Sequence, residues 1–145
     1  MKILDKLKER WRGIDYPFLI HSTGELRFSK IISQNTIDLT KVRSGDVVAL
    51  IGDFDPQSIL NLFQLIDKKM ILVPLTLYTK SDHNYFFESA LVDVVVDDTS
   101  VTRIDHDKKH HLIEYLRSHG HAGLVLFSTG TTGRPKAILH DLTLF

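Results

Sequence analysis

Gly123-Leu124-Val125-Leu126-Phe127-Ser128-Thr129-Gly130-Thr131-Thr132-Gly133-Arg134-Pro135-Lys136-Ala137-Ile138-Leu139-His140 is the stretch from which the rest of the chain can be read. It opens with an apolar run of strand length, Leu124 to Phe127, and passes at once into a segment of hydroxyls and glycines. A second apolar run, Ala137 to Leu139, follows. A buried strand that opens into a small double-glycine loop closed by a lysine is what polyphosphate binding requires. Gly130 and Gly133 carry no Cβ and can take φ > 0, so the backbone can turn tightly and approach an anion closely. Consecutive N–H groups in such a turn form an anion-binding concavity. Ser128, Thr129, Thr131 and Thr132 add hydroxyl donors, and Lys136 adds a compact positive charge. Pro135 fixes φ and has no N–H, which stiffens the exit before the lysine. Hydrogen bonds to a charged group contribute about 1.5–3 kcal/mol each. A few of them hold a triphosphate tail, though they do not select adenine.

The spacing differs from a Walker loop, which needs G-x-x-x-x-G-K-[ST]; here Arg134 and Pro135 stand between Gly133 and the lysine. Taken as GTTG alone, the segment reads first as a glycine-rich hairpin between two buried strands, because Gly, Thr and Pro are ordinary turn residues.

Working upstream, Gly120 is a suitable C-cap for a helix from about Lys108 to Ser118. The segment between Asp97 and that helix is polar and reads as surface linker. Before it the pattern is β-α-β-α-β. Asp46 to Ile51 forms a buried strand after a Ser44-Gly45 break. Asp55 and Pro56 supply an N-cap and first helical residue for a helix to about Lys68. Met70 to Leu75 is the next strand, with Pro74 pointing to a strand end. Thr79 and Asp82 have capping-box spacing for a helix to about Leu91, and Val92 to Val96 is the third strand. Near-continuous apolar strands alternating with helices predict an α/β fold with a largely parallel sheet covered by helices. At the N-terminus, residues 3–12 form an amphipathic helix on Ile3, Leu4, Leu7 and Trp11. Runs on either side of Thr23-Gly24 suggest a hairpin, and Ser29 to about Leu39 suggests a helix. The chain thus divides into a helix-and-hairpin segment, residues 1–45, and a core, residues 46–145, within one partial domain.

At 145 residues the chain is one domain's worth, enough to bury about 70% of its unfolded surface. Lysine plus arginine balances aspartate plus glutamate at 18 each, so no electrostatic footprint for nucleic acid or anionic membrane is present. MKILDKLKERW mixes charges throughout and lacks the apolar core of a signal peptide. No run approaches a membrane span, and there is no cysteine. A cytoplasmic protein is expected. Among the 8 histidines, His106, His110 and Glu114 have helical spacing, but without HExxH or cysteine they read as a solvated helix face, and no metal site is assigned. Asp53/Asp55 and Asp97/Asp98 fit caps and strand-end turns. His140 fits either a site or burial.

The whole run STGTTGRPK resembles, at every position, the phosphate-loop signature of the AMP-forming adenylating enzymes: acyl-CoA synthetases, firefly luciferase and the adenylation domains of nonribosomal peptide synthetases. The resemblance extends upstream in weaker form. GELRFSKI looks like the family's hairpin-to-helix segment and SGDVVAL like its first core strand. KKMILVPLT resembles the segment usually written KAGAVYVPL, and VDVVVDD the strand after it. Two departures are visible: Ala137 stands where a glycine usually follows the lysine, and Asp141 where a small hydroxyl residue is common.

The resemblance implies activation of a carboxylic acid by Mg²⁺-ATP to an acyl-adenylate and pyrophosphate, with coenzyme A or another thiol accepting the acyl group. Ser128, Thr129, Gly130, Thr131, Thr132, Gly133 and Lys136 would then hold the β- and γ-phosphates. The family's adenine-binding segment, Mg²⁺-holding glutamate, ribose-binding aspartate, hinge and catalytic lysine all lie downstream of this loop. No catalytic residue is therefore expected here, and the isolated chain is expected neither to adenylate nor to bind ATP tightly. An unpaired strand edge near residue 139 predicts self-association or a second chain that completes the sheet. The alternative is a non-catalytic scaffold, or a split subunit, that keeps the loop as a structural turn.

Overall fold

Runs such as Val47–Ile51 and Ile71–Leu75 carry no polar side chain on either face, so only a sheet covered on both sides satisfies them. The computed structural model describes residues 3–130 and 133–145. In chain order the helices are α1 (Ile3–Arg10), α2 (Phe28–Ser33), α3 (Pro56–Ile66), α4 (His83–Ala90) and α5 (His111–His119). The strands are β1 (Leu19–His21), β2 (Gly24–Leu26), β3 (Val47–Ile51), β4 (Ile71–Leu75), β5 (Val94–Asp97), β6 (Ser100–Arg103), β7 (Gly123–Phe127) and β8 (Ala137–Asp141). Short 3-10 turns lie at Leu39–Lys41, Leu77–Asp82 and Leu142–Leu144.

Six strands form one sheet in the order β6-β5-β3-β4-β7-β8, and β1-β2 is a separate hairpin. The central pairings β5–β3, β3–β4 and β4–β7 are parallel, and the two marginal ones, β6–β5 and β7–β8, are antiparallel. The expected α/β fold with a largely parallel, helix-covered sheet is the fold found. Along β3 the side chains alternate between two cores. Val47 and Ala49 join Ile71, Val73 and Val125 under α4 and α5. Val48 and Leu50 join Leu72, Val94 and Val96 under α3. Outside α3, a third cluster of Leu4, Leu26, Phe28, Ile31, Leu60 and Phe63 docks α1, the hairpin and α2. Trp11, Phe18, Phe28 and Phe63 meet there at ring centroids 5.0–5.9 Å apart, the separation at which aromatic pairs attract beyond simple burial.

Four local expectations are corrected. The helix expected over Ser29–Leu39 stops at Ser33, with Gln34 already extended, because Thr36 is held against α3. Its N–H donates to Gln64 Oε1 at 3.1 Å and its hydroxyl to Asn61 Oδ1 at 2.8 Å, and both partners are buried. The capping box expected at Thr79 is absent: the Thr79 hydroxyl donates instead to the Thr76 carbonyl, a 3-10 turn fills Leu77–Asp82, and α4 begins at His83. The polar segment after Asp97, expected as linker, begins instead with the edge strand β6, and only residues 104–110 form a connection without helix or strand. A tight turn in which Asp98 takes φ 53° joins β6 to β5. Aspartate tolerates that conformation. Only Val101 of β6 is buried, so the strand has no apolar signature. Pro74 lies inside a strand that has neighbours on both sides. Ile71 N–H donates to Asp46 and Leu75 accepts from Gly52, so residues 71, 73 and 75 face β3 while Pro74 faces β7. The β4–β7 ladder ends at Leu72↔Leu124, and the missing N–H falls just beyond it.

Asp55 caps α3 as expected, its carboxylate accepting the Ser58 N–H at 3.0 Å with Pro56 in the first turn. Burial acts to raise its pKa, but the Ser58 N–H and hydroxyl outweigh burial and hold it below the ordinary 3.8. A depressed carboxylate contributes stability that is fully present above about pH 4 and is lost as the pH falls through the folded-state value. Asp55→Asn keeps a capping oxygen but cannot titrate. Its unfolding free energy in urea should decline less steeply on acidification below about pH 4 than that of the wild type. Parallel declines would remove Asp55 from the acid limb.

Candidate functional site

Because β3, β4, β5 and β7 are parallel, their carboxyl ends share one edge of the sheet, which is where open α/β sheets bind ligands. The loop between β7 and β8 leaves the sheet at that edge. Beside it, Asp53 after β3 accepts the Leu77 N–H at 2.9 Å and so ties the loop after β3 to the loop after β4. Asp53 and Asp55 therefore act in turns and caps, as expected.

The neck of the loop is closed by two bonds. Ser128 N–H donates to the Lys136 carbonyl at 2.9 Å, and Lys136 N–H donates to Ser128 Oγ at 3.1 Å. The Ser128 hydroxyl accepts in this pair and keeps its own proton for another acceptor. Gly133 has φ 88°, the left-handed region that favours glycine, whereas Gly130 does not use that freedom. Among the described residues a Cβ added at Gly130 or Gly133 would meet nothing within 4 Å, which leaves room for a ligand beside the backbone. Thr129, Gly130, Gly133 and Lys136 are exposed. Among the described residues the Lys136 ammonium has no hydrogen-bond or ion-pair partner. Thr131 and Thr132, also expected to hold phosphate, lie outside the described residues.

The described loop residues supply N–H groups, hydroxyls and cations, and no carboxylate. That donor set fits a polyphosphate and offers nothing to hold a metal by charge. The structure adds one contact that no spacing in the sequence signals. Tyr85, on α4, donates its hydroxyl to the Pro135 carbonyl at 2.6 Å, and the Arg134 guanidinium lies 4.0 Å from the centroid of the Tyr85 ring.

The histidines go elsewhere. The His106 ring lies 2.9 Å from the Leu91 carbonyl and 3.3 Å from Asp93, and His110 caps α5 from outside the helix. Glu114 pairs with Arg117. The helix begins at His111, so His106, His110 and Glu114 do not share a face of it. His140 is half-buried opposite Leu124. Asp141, one of the two departures, closes the far end of the hairpin: it lies 2.7 Å from His121 Nδ1 and accepts from Thr143. Burial acts to raise its pKa, and the bonds from Thr143 and His121 hold it lower. Among the described residues no helix is long and apolar enough to cross a membrane.

No protein-family model and no curated protein matches the chain. Solved structures do. VinN in complex with 3-methylaspartate superposes with a TM-score of 0.65 at 17% identity, over 94% of this chain and 46% of VinN. The N-terminal subdomain of Klebsiella oxytoca NpsA in complex with 3-hydroxybenzoyl-AMSN gives 0.67 at 15% identity, over 95% and 39%. Apo MatB from Rhodopseudomonas palustris gives 0.58 at 13% identity, over 93% and 34%. The chain spans less than half the length of these structures. What they share with it is the fold, and it is the fold expected from the resemblance of STGTTGRPK to the AMP-forming adenylating enzymes.

Proposed function

We propose that this chain supplies the phosphate-binding part of an ATP-dependent, AMP-forming acid–thiol ligase, which activates a carboxylic acid as its acyl-adenylate and passes the acyl group to coenzyme A or another thiol. The observation that carries the reading is the Ser128–Lys136 loop. It is closed at its neck, open beside both glycines among the described residues, furnished with side chains that carry hydroxyls and cations and no carboxylate, and held at the carboxyl edge of the parallel strands. The fold neighbours support it, since VinN was solved with 3-methylaspartate and with L-aspartate, both carboxylic acids.

In this reading the backbone of Gly130 and Gly133, the hydroxyls of Ser128, Thr129, Thr131 and Thr132, and the Lys136 ammonium hold the β- and γ-phosphates. ATP supplies the adenylyl group and the pyrophosphate that leaves, with Mg²⁺ as its counter-ion. The loop residues orient that leaving group and offset its growing charge with dipoles already in place, which is the largest lever in such transfers. No residue of this chain is assigned to the metal or to acyl transfer. Carboxylate-dependent ATP–pyrophosphate exchange, assayed across a panel of acids in the protein as its cell makes it, tests the reading. Exchange with at least one acid supports it, and none with any acid sinks it. The isolated 145-residue chain is expected to be inactive.

The sheet also points to a partner. β8 is an edge strand. Lys136 and Leu142 bond towards β7, so by alternation Ala137 and Leu139 direct their N–H and C=O groups outward. Leu126 and Ile138, paired across the hairpin, are exposed by 43% and 47% on the face that α3 covers farther in. An open edge beside uncovered apolar side chains favours strand addition. The purified chain is expected to scatter light as a species of at least twice 16.6 kDa. A monodisperse monomer would count against a completing partner.

A further inference from the structure

We infer that Tyr85 is a positioning residue for polyphosphate binding, holding the exit of the Ser128–Lys136 loop while its neighbour Phe86 holds the entrance. The inference rests on the phosphate-loop reading and adds to it a residue 50 positions upstream of its partner.

Four observations carry it. The first is where α4 is fixed. His83 Nε2 lies 2.9 Å from the Thr76 carbonyl, which can only accept, so the ring N–H donates to it and ties the start of the helix to the end of β4. The buried Phe86 ring sits 4.4 Å from Phe127, the residue immediately before Ser128. The helix is therefore anchored to the sheet independently of its contacts with the loop, so it can serve as a reference for the loop. The second is the bond at the exit. Pro135 has no N–H, so its carbonyl is the one backbone group through which that residue can be held, and the half-buried Tyr85 hydroxyl donates to it at 2.6 Å. The third is the stacking of the Arg134 guanidinium over the same ring. One side chain thus fixes two consecutive residues, one through its hydroxyl and one through its π-face. The fourth is what this leaves. With Arg134 turned onto α4, the exposed Lys136 is the loop cation without a partner among the described residues.

The neck bonds between Ser128 and Lys136 close the base of the loop but do not fix residues 133–135. Gly133 opens that segment with φ 88° and lacks a side chain to hold its conformation. Tyr85 supplies the missing restraint from outside the loop. A ligand that needs several N–H groups and an ammonium at fixed spacing binds more weakly when one end of the spacing is free to drift.

The test is a ¹H–¹⁵N titration of the 145-residue chain with inorganic tripolyphosphate at millimolar concentrations, in the wild type, Tyr85→Phe, Tyr85→Ala and Lys136→Ala. Tyr85→Phe keeps the ring for Phe86 and Arg134 and removes one neutral hydrogen bond, so affinity should fall about fivefold. The amide resonances of Gly133, Arg134 and Lys136 should shift in the free protein while those of β3 and β4 stay in place. Tyr85→Ala also removes the stacking and should bind more weakly still. Should Tyr85→Ala fail to fold, Tyr85→Phe decides alone. Wild-type affinity in Tyr85→Phe, with Lys136→Ala impaired, overturns the role of Tyr85 and leaves the phosphate loop standing. No binding by the wild type, or Lys136→Ala binding as well as the wild type, overturns the loop reading and the inference with it.

Discussion

Lys136→Ala is expected to slow carboxylate-dependent ATP–pyrophosphate exchange by about 10²-fold, the size of effect seen when one donor aimed at developing charge is removed. The thermal midpoint should stay where it is. The reason is the contrast between what the side chain does in the fold and what it would do for a ligand. Lys136 is exposed, and its ammonium has no partner among the described residues, so its removal leaves no buried group unsatisfied. Surface changes of that kind stay within about 0.5 kcal/mol. Its backbone bonds to Ser128 survive in the alanine variant, and with them the neck of the loop. If the loop were only a structural turn, the variant would match the wild type both in exchange and in melting. A drop in exchange with an unchanged midpoint separates a ligand-binding loop from a scaffold, and equal activity would favour the scaffold.

Asp93→Ala should do the opposite, lowering the melting temperature by roughly 10 °C, equivalent to about 3 kcal/mol, with the loop untouched. Asp93 is 7% exposed, just before β5. Its Oδ2 accepts the Val47 N–H at 2.9 Å and the Arg117 guanidinium at 2.7 Å, and His106 lies 3.3 Å from its other oxygen. Arg117 in turn donates to the Gly45 carbonyl and to Glu114. One carboxylate therefore ties the start of β3, the start of β5 and α5 at the edge of the sheet opposite the loop. Alanine leaves the Val47 N–H unsatisfied and a partly buried guanidinium short of one partner, and both carry a penalty. Asp93→Asn, which keeps an oxygen for Val47, should lose less than half as much. An alanine variant that melts within about 2 °C of the wild type would show that Arg117 finds full compensation elsewhere.

The parallel core was legible because its strands are fully apolar and its helices carry explicit start and stop signals. Asp55-Pro56 begins α3, and Gly120, at φ 62°, ends α5. The place of the loop was legible too, because two apolar runs flank it and become β7 and β8; its phosphate-binding role rests on the proposal above. Hidden were the features in which a residue's partner is distant in sequence. Thr36 ends α2 because Asn61 and Gln64 claim it. β6 is a strand because β5 supplies its ladder. Pro74 is tolerated because the neighbouring ladder stops two residues earlier, at Leu72. Tyr85 meets Pro135 only once β7 has been placed between β4 and β8. Local pattern carries no information about any of these.

The strand order also constrains the route by which the chain reaches this shape. β3, β4 and β5 are joined by α3 and α4 over short connections, so they can pair early at small loop-closure cost. β7 reaches β4 only after the chain has passed through β5, β6 and α5. The clamp on the glycine loop joins residues 50 positions apart, a span similar to that of the β4–β7 pairing, and needs β7 in place beside β4 before Pro135 can reach Tyr85. Long-range pairings of this kind slow folding, so the loop takes its final form last. Its geometry then serves as a late report that the whole sheet has assembled in the right order, and a chain that stalls before β7 docks would carry the full STGTTGRPK sequence with no shaped site to present.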